Sequence, residues 1–141
     1  MVTIRPYRPE DEDNVIQLWK RVFPDSPPHN NPARDIRTKR TVQPDLFLVA
    51  ILDDHLIGTA MAGFDGHRGW IYYLGVDPDY RRRGIGTALM RRVENKLAAL
   101  GCPKLNLQIR AHNAEVQAFY EELGYLSEDR ISMGRKLNSS Q

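Results

Sequence analysis

The run Arg81-Arg82-Arg83-Gly84-Ile85-Gly86-Thr87 is where this sequence first offers chemistry. It separates a strand-like segment from a long amphipathic helical one. Glycine lets backbone come close to a ligand and adopt dihedrals that other residues avoid. The first N–H groups of a helix lack intrahelical acceptors and favour an anion. Three arginines add charge suited to phosphate oxygens. The combination points to a phosphate-binding turn. The plainer alternative is that Gly84 and Gly86 serve helix packing and the arginines form a solvated run. Two familiar phosphate loops are excluded: no Lys-Ser or Lys-Thr follows a glycine as a Walker loop requires, and after Gly84 and Gly86 the third glycine of a dinucleotide fingerprint is replaced by Leu89.

A second constellation runs Asn113-Ala114-Glu115-Val116-Gln117-Ala118-Phe119-Tyr120-Glu121-Glu122-Leu123-Gly124-Tyr125. Asn113 can cap a helix. Tyr120 lies two turns further on, within the apolar stripe of Val116, Phe119 and Leu123. Taken alone it reads as a core tyrosine whose hydroxyl needs a partner if buried.

The elements that must position these residues fit a single domain over residues 1–141. The chain is 41% hydrophobic and 27% charged, with a net charge of +2, an ordinary globular composition. That balance argues against nucleic acid or an anionic membrane as partner. No window approaches the length of a membrane-spanning helix, and the N-terminus lacks an apolar leader, so a cytoplasmic location is expected. Cys102 stands alone and the histidines lack ligand spacing, so neither disulfide nor metal is expected.

Val2 and Ile4 predict a short strand, and Val15, Leu18, Trp19 and Val22 a helix to about Phe23. The turn-rich segment 24–32 predicts a loop, and 33–42 a polar second helix. Strands follow at 46–51, 56–64 and 70–76, resembling an antiparallel meander. Ile85, Leu89, Val93, Leu97 and Leu100 mark a strong helix ended by Gly101. A strand is expected over 105–109, a helix after Asn113 ended by Gly124, one or two strands over 125–137, and a frayed tail from Asn138. The fold class is α+β: a mixed, mostly antiparallel central sheet with helices on both faces.

Arg81-x-x-Gly84-x-Gly86 after Leu74-Gly75-Val76-Asp77-Pro78, followed by the Asn113 to Tyr125 pattern, closely resembles the GNAT superfamily of N-acetyltransferases. The resemblance covers about residues 2–137 and is nearest to the small single-domain bacterial members. It implies a GNAT-like acyl-CoA N-acyltransferase fold and transfer of acetyl from acetyl-CoA, the co-substrate, to a primary amine. It also implies that the backbone of Arg81, Arg82, Arg83, Gly84, Ile85, Gly86 and Thr87 holds the CoA pyrophosphate. The strand at Leu74 and Val76 would be bulged, pairing with pantetheine and polarising the thioester carbonyl. Asn113 would contact CoA, and Tyr120 would protonate the departing thiolate. Many relatives pair through their last strands, so a homodimer is among the expectations.

No residue declares itself as the base. Members that acetylate protein N-termini often carry a glutamate where this chain has Gln108, which cannot accept a proton. Asp65, His67, Asp77 and His112 are open candidates, as is a water relayed through Tyr72 or Tyr73. Acceptor recognition is expected in the first helix and the 24–32 loop, with Phe23 and Arg34 as guesses, whereas Trp19 reads as core and Cys102 as inert. A CoA-binding regulator without efficient turnover is the alternative function. A nucleic-acid patch built on Arg81–83 with Arg91 and Arg92 lacks interleaved aromatics.

Overall fold

The computed structural model describes residues 1–24 and 31–137. The expected 24–32 loop therefore falls largely outside the described residues, as does the tail from Asn138. The chain forms two compact units, Met1–Gln108 and Ile109–Gln141.

The first unit is a five-stranded sheet in the order β1 (Thr3–Pro6), β2 (Phe47–Leu52), β3 (His55–Phe64), β4 (Gly69–Val76), β5 (Leu105–Asn106). Its first three pairings are antiparallel and the last is parallel. Alternation along β2 explains why its sequence is a continuous apolar run. Phe47 and Val49 face a cluster with Val15, Leu18 and Trp19 of helix α1 (Glu12–Val22) and Ile36 of helix α2 (Pro32–Lys39). Leu48 and Ala50 therefore face the other side. There Leu89 of helix α3 (Ile85–Ala99) packs so closely that a Cβ on Gly58 would sit 3.2 Å from it. Both faces of the sheet are covered, so β2 has no polar side to show.

Past the end of α2, Gln43 takes a left-handed conformation (φ 50°) ahead of Pro44. Gln43 then clamps the end of β3, donating to the Phe64 carbonyl at 2.9 Å and accepting from the Phe64 N–H at 2.8 Å. Lys39, also buried, donates to the Ala62 carbonyl. α2 thus stops at Lys39, three residues short of the expected end, and the chain between it and β2 is tied to β3 by these contacts.

Helix α4 (Ala114–Glu122) belongs to the second unit, capped by Asn113 and terminated at Gly124, whose φ is 98°. The strands expected over 125–137 do not form among the described residues. Leu126, Ile131, Met133 and Leu137 are each more than four-fifths exposed. Alternating apolar residues make a strand when a neighbouring strand takes up their backbone groups, and among the described residues this segment has no such ladder. The strand expected over 105–109 likewise shortens to Leu105–Asn106.

Candidate active site

β4 is irregular at Tyr73 and Leu74, at the start of the Leu74–Val76 stretch expected to be bulged, while Gly75 and Val76 pair regularly. Thr59 pairs with Gly75 while Met61 pairs with Tyr72, so three steps on β4 face two on β3. The extra residue makes a β-bulge. Tyr73 sits in it at φ 53°, a conformation costly for a bulky side chain.

The surroundings hold that strained residue in place. The Tyr73 ring stacks on Trp19 at 3.8 Å and meets the edge of Phe23. Its hydroxyl donates to Asp35 at 2.7 Å. Burial, then this bond to Asp35, raises its pKa above the ordinary tyrosine range. Behind the ring, Trp19 Nε1 donates to Thr59 Oγ1 at 2.9 Å, and Thr59 Oγ1 donates to the Tyr73 carbonyl at 2.8 Å.

On the outer side of β4 the parallel ladder with β5 comprises Gly69↔Leu105 and Trp70↔Asn106. Among the described residues the ladder with β5 does not continue past Trp70, which is what an extended ligand adding itself as a strand would require.

Gly75 is required here by close approach. A Cβ would meet Val22 Cγ1 at 2.7 Å and Phe23 Cζ at 3.0 Å. Val22 is β-branched and cannot swing aside cheaply. Gly75→Ala is expected to cost about 1–3 kcal/mol through overpacking, read as a lowered thermal midpoint. Phe23, guessed as an acceptor contact, thus forms a wall of the bulge, and Trp19 is both core and donor.

The phosphate turn follows directly. Asp77 accepts from the Asp79 N–H at 2.9 Å and pairs with Arg21 at 2.7 Å, which fixes the exit from β4. The chain makes one 3₁₀ turn, Pro78–Tyr80, then takes left-handed conformations at Arg82 (φ 66°) and Gly84 (φ 74°) before α3 begins. α2 and α4 are capped by asparagine side chains, whereas α3 has no side-chain cap and no acid in its first turn. Its leading N–H groups, those of Ile85, Gly86 and Thr87, have neither an intrahelical acceptor nor a competing carboxylate. Arg81, Arg82 and Arg83 are exposed around it, with Arg83 over the Tyr80 ring. A Cβ on Gly84 would meet nothing within 4 Å, so there is room for a ligand at this point.

In the second unit, Asn113 Oδ1 accepts from the Val116 N–H at 3.2 Å. The cap uses the carbonyl end of that amide, and its NH₂ end has no partner among the described residues. Tyr120 is 7% exposed and lies edge-on to Phe119 and Tyr125. Burial pushes its hydroxyl above the ordinary tyrosine range, so it stays protonated at neutral pH.

The candidate bases fare differently. Asp65 accepts from the N–H groups of His67 and Arg68, and these bonds hold its carboxyl below the usual range. It is a turn residue. His67 shares that turn, and the four steps from Gly69 to Tyr73 put roughly 13 Å of strand at ~3.3 Å per residue between that turn and the bulge. Asp77 is taken by Arg21 and the turn. Tyr72 is exposed, Tyr73 is committed to Asp35, and His112 is exposed in the turn before α4. Gln108 is exposed beyond the end of β5. A cleft of about 400 Å³ beside α1, lined by Asn14, Gln17, His55 and Asp77, includes neither Leu74 nor the 81–87 turn. Thr59, Asp35 and Arg21 had no local motif to announce them. Their roles depend on partners 14 to 56 residues away in sequence.

A model of the acetyltransferase (GNAT) family matches residues 13–125. An acetyltransferase of Pectobacterium atrosepticum is 48% identical over 134 residues, covering 95% of this chain and 94% of that one. One from Sodalis glossinidius is 48% identical over 139 residues, covering 98% and 97%. Among solved structures, the aminoglycoside N-acetyltransferase AAC(6')-Iy in complex with CoA superposes with a TM-score of 0.78 at 22% identity, covering 96% of this chain and 95% of that chain. The ribosomal-protein-S18-alanine N-acetyltransferase of Escherichia coli gives 0.71 at 25% identity, covering 88% and 77%.

Proposed function

The chain belongs to the acetyltransferase (GNAT) family, and from that premise we propose that it moves the acetyl group of acetyl-CoA to a primary amine by direct attack in a ternary complex. The observation that carries the reading is the uncapped, acid-free start of α3 immediately after a bulged strand whose pairing with β5 ends at Trp70. Phosphate needs the first, and an extended pantetheine arm ending in a thioester suits the second. The match across residues 13–125 supports treating residues 1–141 as one catalytic domain. A homodimer is part of this proposal through the resemblance, and a cytoplasmic location through the composition of the sequence.

In this mechanism the N–H groups of Arg81 through Thr87 hold the pyrophosphate, with the arginine side chains neutralising it. Backbone N–H groups at Leu74 and Val76 stabilise the oxyanion formed when the amine attacks the thioester carbon. Such fixed donors contribute about 3–4 kcal/mol each to the transition state in favourable cases. Asn113 contacts CoA, and Tyr120 protonates the departing thiolate.

The amine must lose a proton, and an alkyl ammonium has a pKa near about 10.4. Asp65, Asp77 and Tyr73 are engaged elsewhere, which favours entry of the amine already neutral or deprotonation through water. The same observation supports the second reading, a CoA-binding regulator with little turnover.

Calorimetric titration of acetyl-CoA, followed by thiol release with spermidine, neamine and an alanyl peptide, separates these readings. Binding with amine-dependent release is expected, and the responding amine names the acceptor class. Binding without release would favour the regulator. No binding would overturn both.

A further inference from the structure

We infer that Thr59 is a positioning residue for acetyl transfer, aiming the Leu74 N–H at the thioester through the Tyr73 carbonyl. The inference deepens the proposed function and rests on that reading of the bulge. Thr59 is fully buried on β3, opposite the irregular stretch of β4. Its hydroxyl has one proton to give. Trp19 Nε1 is a donor and nothing else, so at 2.9 Å from Thr59 Oγ1 it forces that oxygen to accept. The single hydroxyl proton is thereby committed to the Tyr73 carbonyl at 2.8 Å. Thr59 is fully buried, so its hydroxyl is held between these two groups.

The Tyr73 carbonyl and the Leu74 N–H belong to one peptide plane. In a trans peptide they point in opposite directions. Holding the carbonyl toward β3 therefore turns the Leu74 N–H away from β3. That is the side on which the pairing with β5 has already ended at Trp70. A bulge residue at φ 53° has no regular ladder to fix this peptide, so its orientation depends on such outside contacts. The ring stack on Trp19 and the hydroxyl bond to Asp35 hold the Tyr73 side chain, while Thr59 holds its carbonyl. One tryptophan thus serves both, by its face and by its N–H. An ordinary core threonine would need one of these bonds, whereas the directed chain from Trp19 through Thr59 ends on the peptide that carries the proposed donor.

The test is the infrared stretch of the thioester carbonyl in acetyl-CoA labelled with carbon-13 at that carbon, free and bound to the protein. In the wild type the stretch is expected to move to lower frequency on binding, as hydrogen bonding to the carbonyl oxygen requires. In Thr59→Val, of nearly the same shape, the downshift is expected to be lost while affinity for CoA stays at the wild-type value. Thr59→Ser, which keeps the hydroxyl, is expected to restore it. Trp19→Phe keeps a ring over Tyr73 and removes the N–H, and an intermediate downshift is expected. It serves as the deciding variant if Thr59→Val fails to fold. A wild-type downshift in folded Thr59→Val, or in Trp19→Phe where that must decide, overturns the inference and leaves the proposed function standing. An unshifted stretch in the wild type overturns the thioester reading of the bulge, and this inference with it.

Discussion

Gly84→Glu is expected to weaken acetyl-CoA binding by about 100-fold or more while leaving the fold as stable as before. Two effects on the same carboxylate have opposite signs. At the start of a helix an anion is favourable, worth about 0.3–1 kcal/mol. That gain offsets most of the roughly 1 kcal/mol cost of giving a non-glycine residue the left-handed conformation found here. Gly84 has φ 74°, and its Cβ position is open, so no clash adds to the sum. For a pyrophosphate the same carboxylate is a like charge in the seat it must occupy. Two charges about 4 Å apart near a protein surface interact by about 4 kcal/mol, and solvent at this exposed turn reduces that to about 3 kcal/mol, the equivalent of roughly 100-fold. The control is Gly84→Ala, which carries the dihedral cost without the charge and is expected to bind nearly normally. Calorimetry reads the binding and thermal unfolding reads the stability. If Gly84→Glu binds as the wild type does, the pyrophosphate is not held at this turn.

Much of this turn was legible in the sequence because its determinants are local. Gly84 and Gly86 after three arginines, with Pro78 behind them, describe a short stretch of backbone whose geometry few other residues allow. Asn113 and Gly124 bracket α4 for the same reason: a cap and a left-handed stop act within one turn of their own position. The buried alternation of β2 and β3 was legible too, since a covered strand writes itself as an apolar run.

What stayed hidden was everything fixed by distant partners. Trp19 satisfies the helical period of α1 and therefore reads as core, which it is. Nothing in that period reveals that its N–H meets Thr59 forty residues away. Asp35 looks like a surface acid of a polar helix until Tyr73 is brought to it. Arg21 looks like a last-turn cation, and its pairing with Asp77 depends on how α1 crosses the sheet. The 125–137 segment fails in the converse way. Its alternation is local, but a strand is a property of a pair, and no pairing strand is supplied among the described residues.

Tyr120→Phe is expected to lower kcat for acetyl transfer about 10–100-fold, near the lower end of what a positioned acid contributes. Affinity for acetyl-CoA should be unchanged, since the ring that packs against Phe119 and Tyr125 is retained. The argument turns on proton affinity. A thiol of ordinary pKa, near about 8.5, leaves as a thiolate that is a weaker base than phenolate, so in water the tyrosine would not give up its proton to it. Burial raises the Tyr120 pKa further, which makes the transfer harder still only if the thiolate remains solvated. A thiolate expelled into a closed site loses its water as well, and desolvation raises its proton affinity in the same direction. The sign for pH follows. Tyr120 is protonated throughout the neutral range and begins to lose its proton only above the ordinary tyrosine value of about 10, so it contributes no falling limb to the rate between pH 7 and 10. The Phe variant should therefore lose a constant factor across that range, with both profiles rising together as the amine acceptor deprotonates. A variant whose deficit instead changes between pH 7 and 10 would assign the titrating role to another group. One with full kcat would leave Tyr120 as a packing residue.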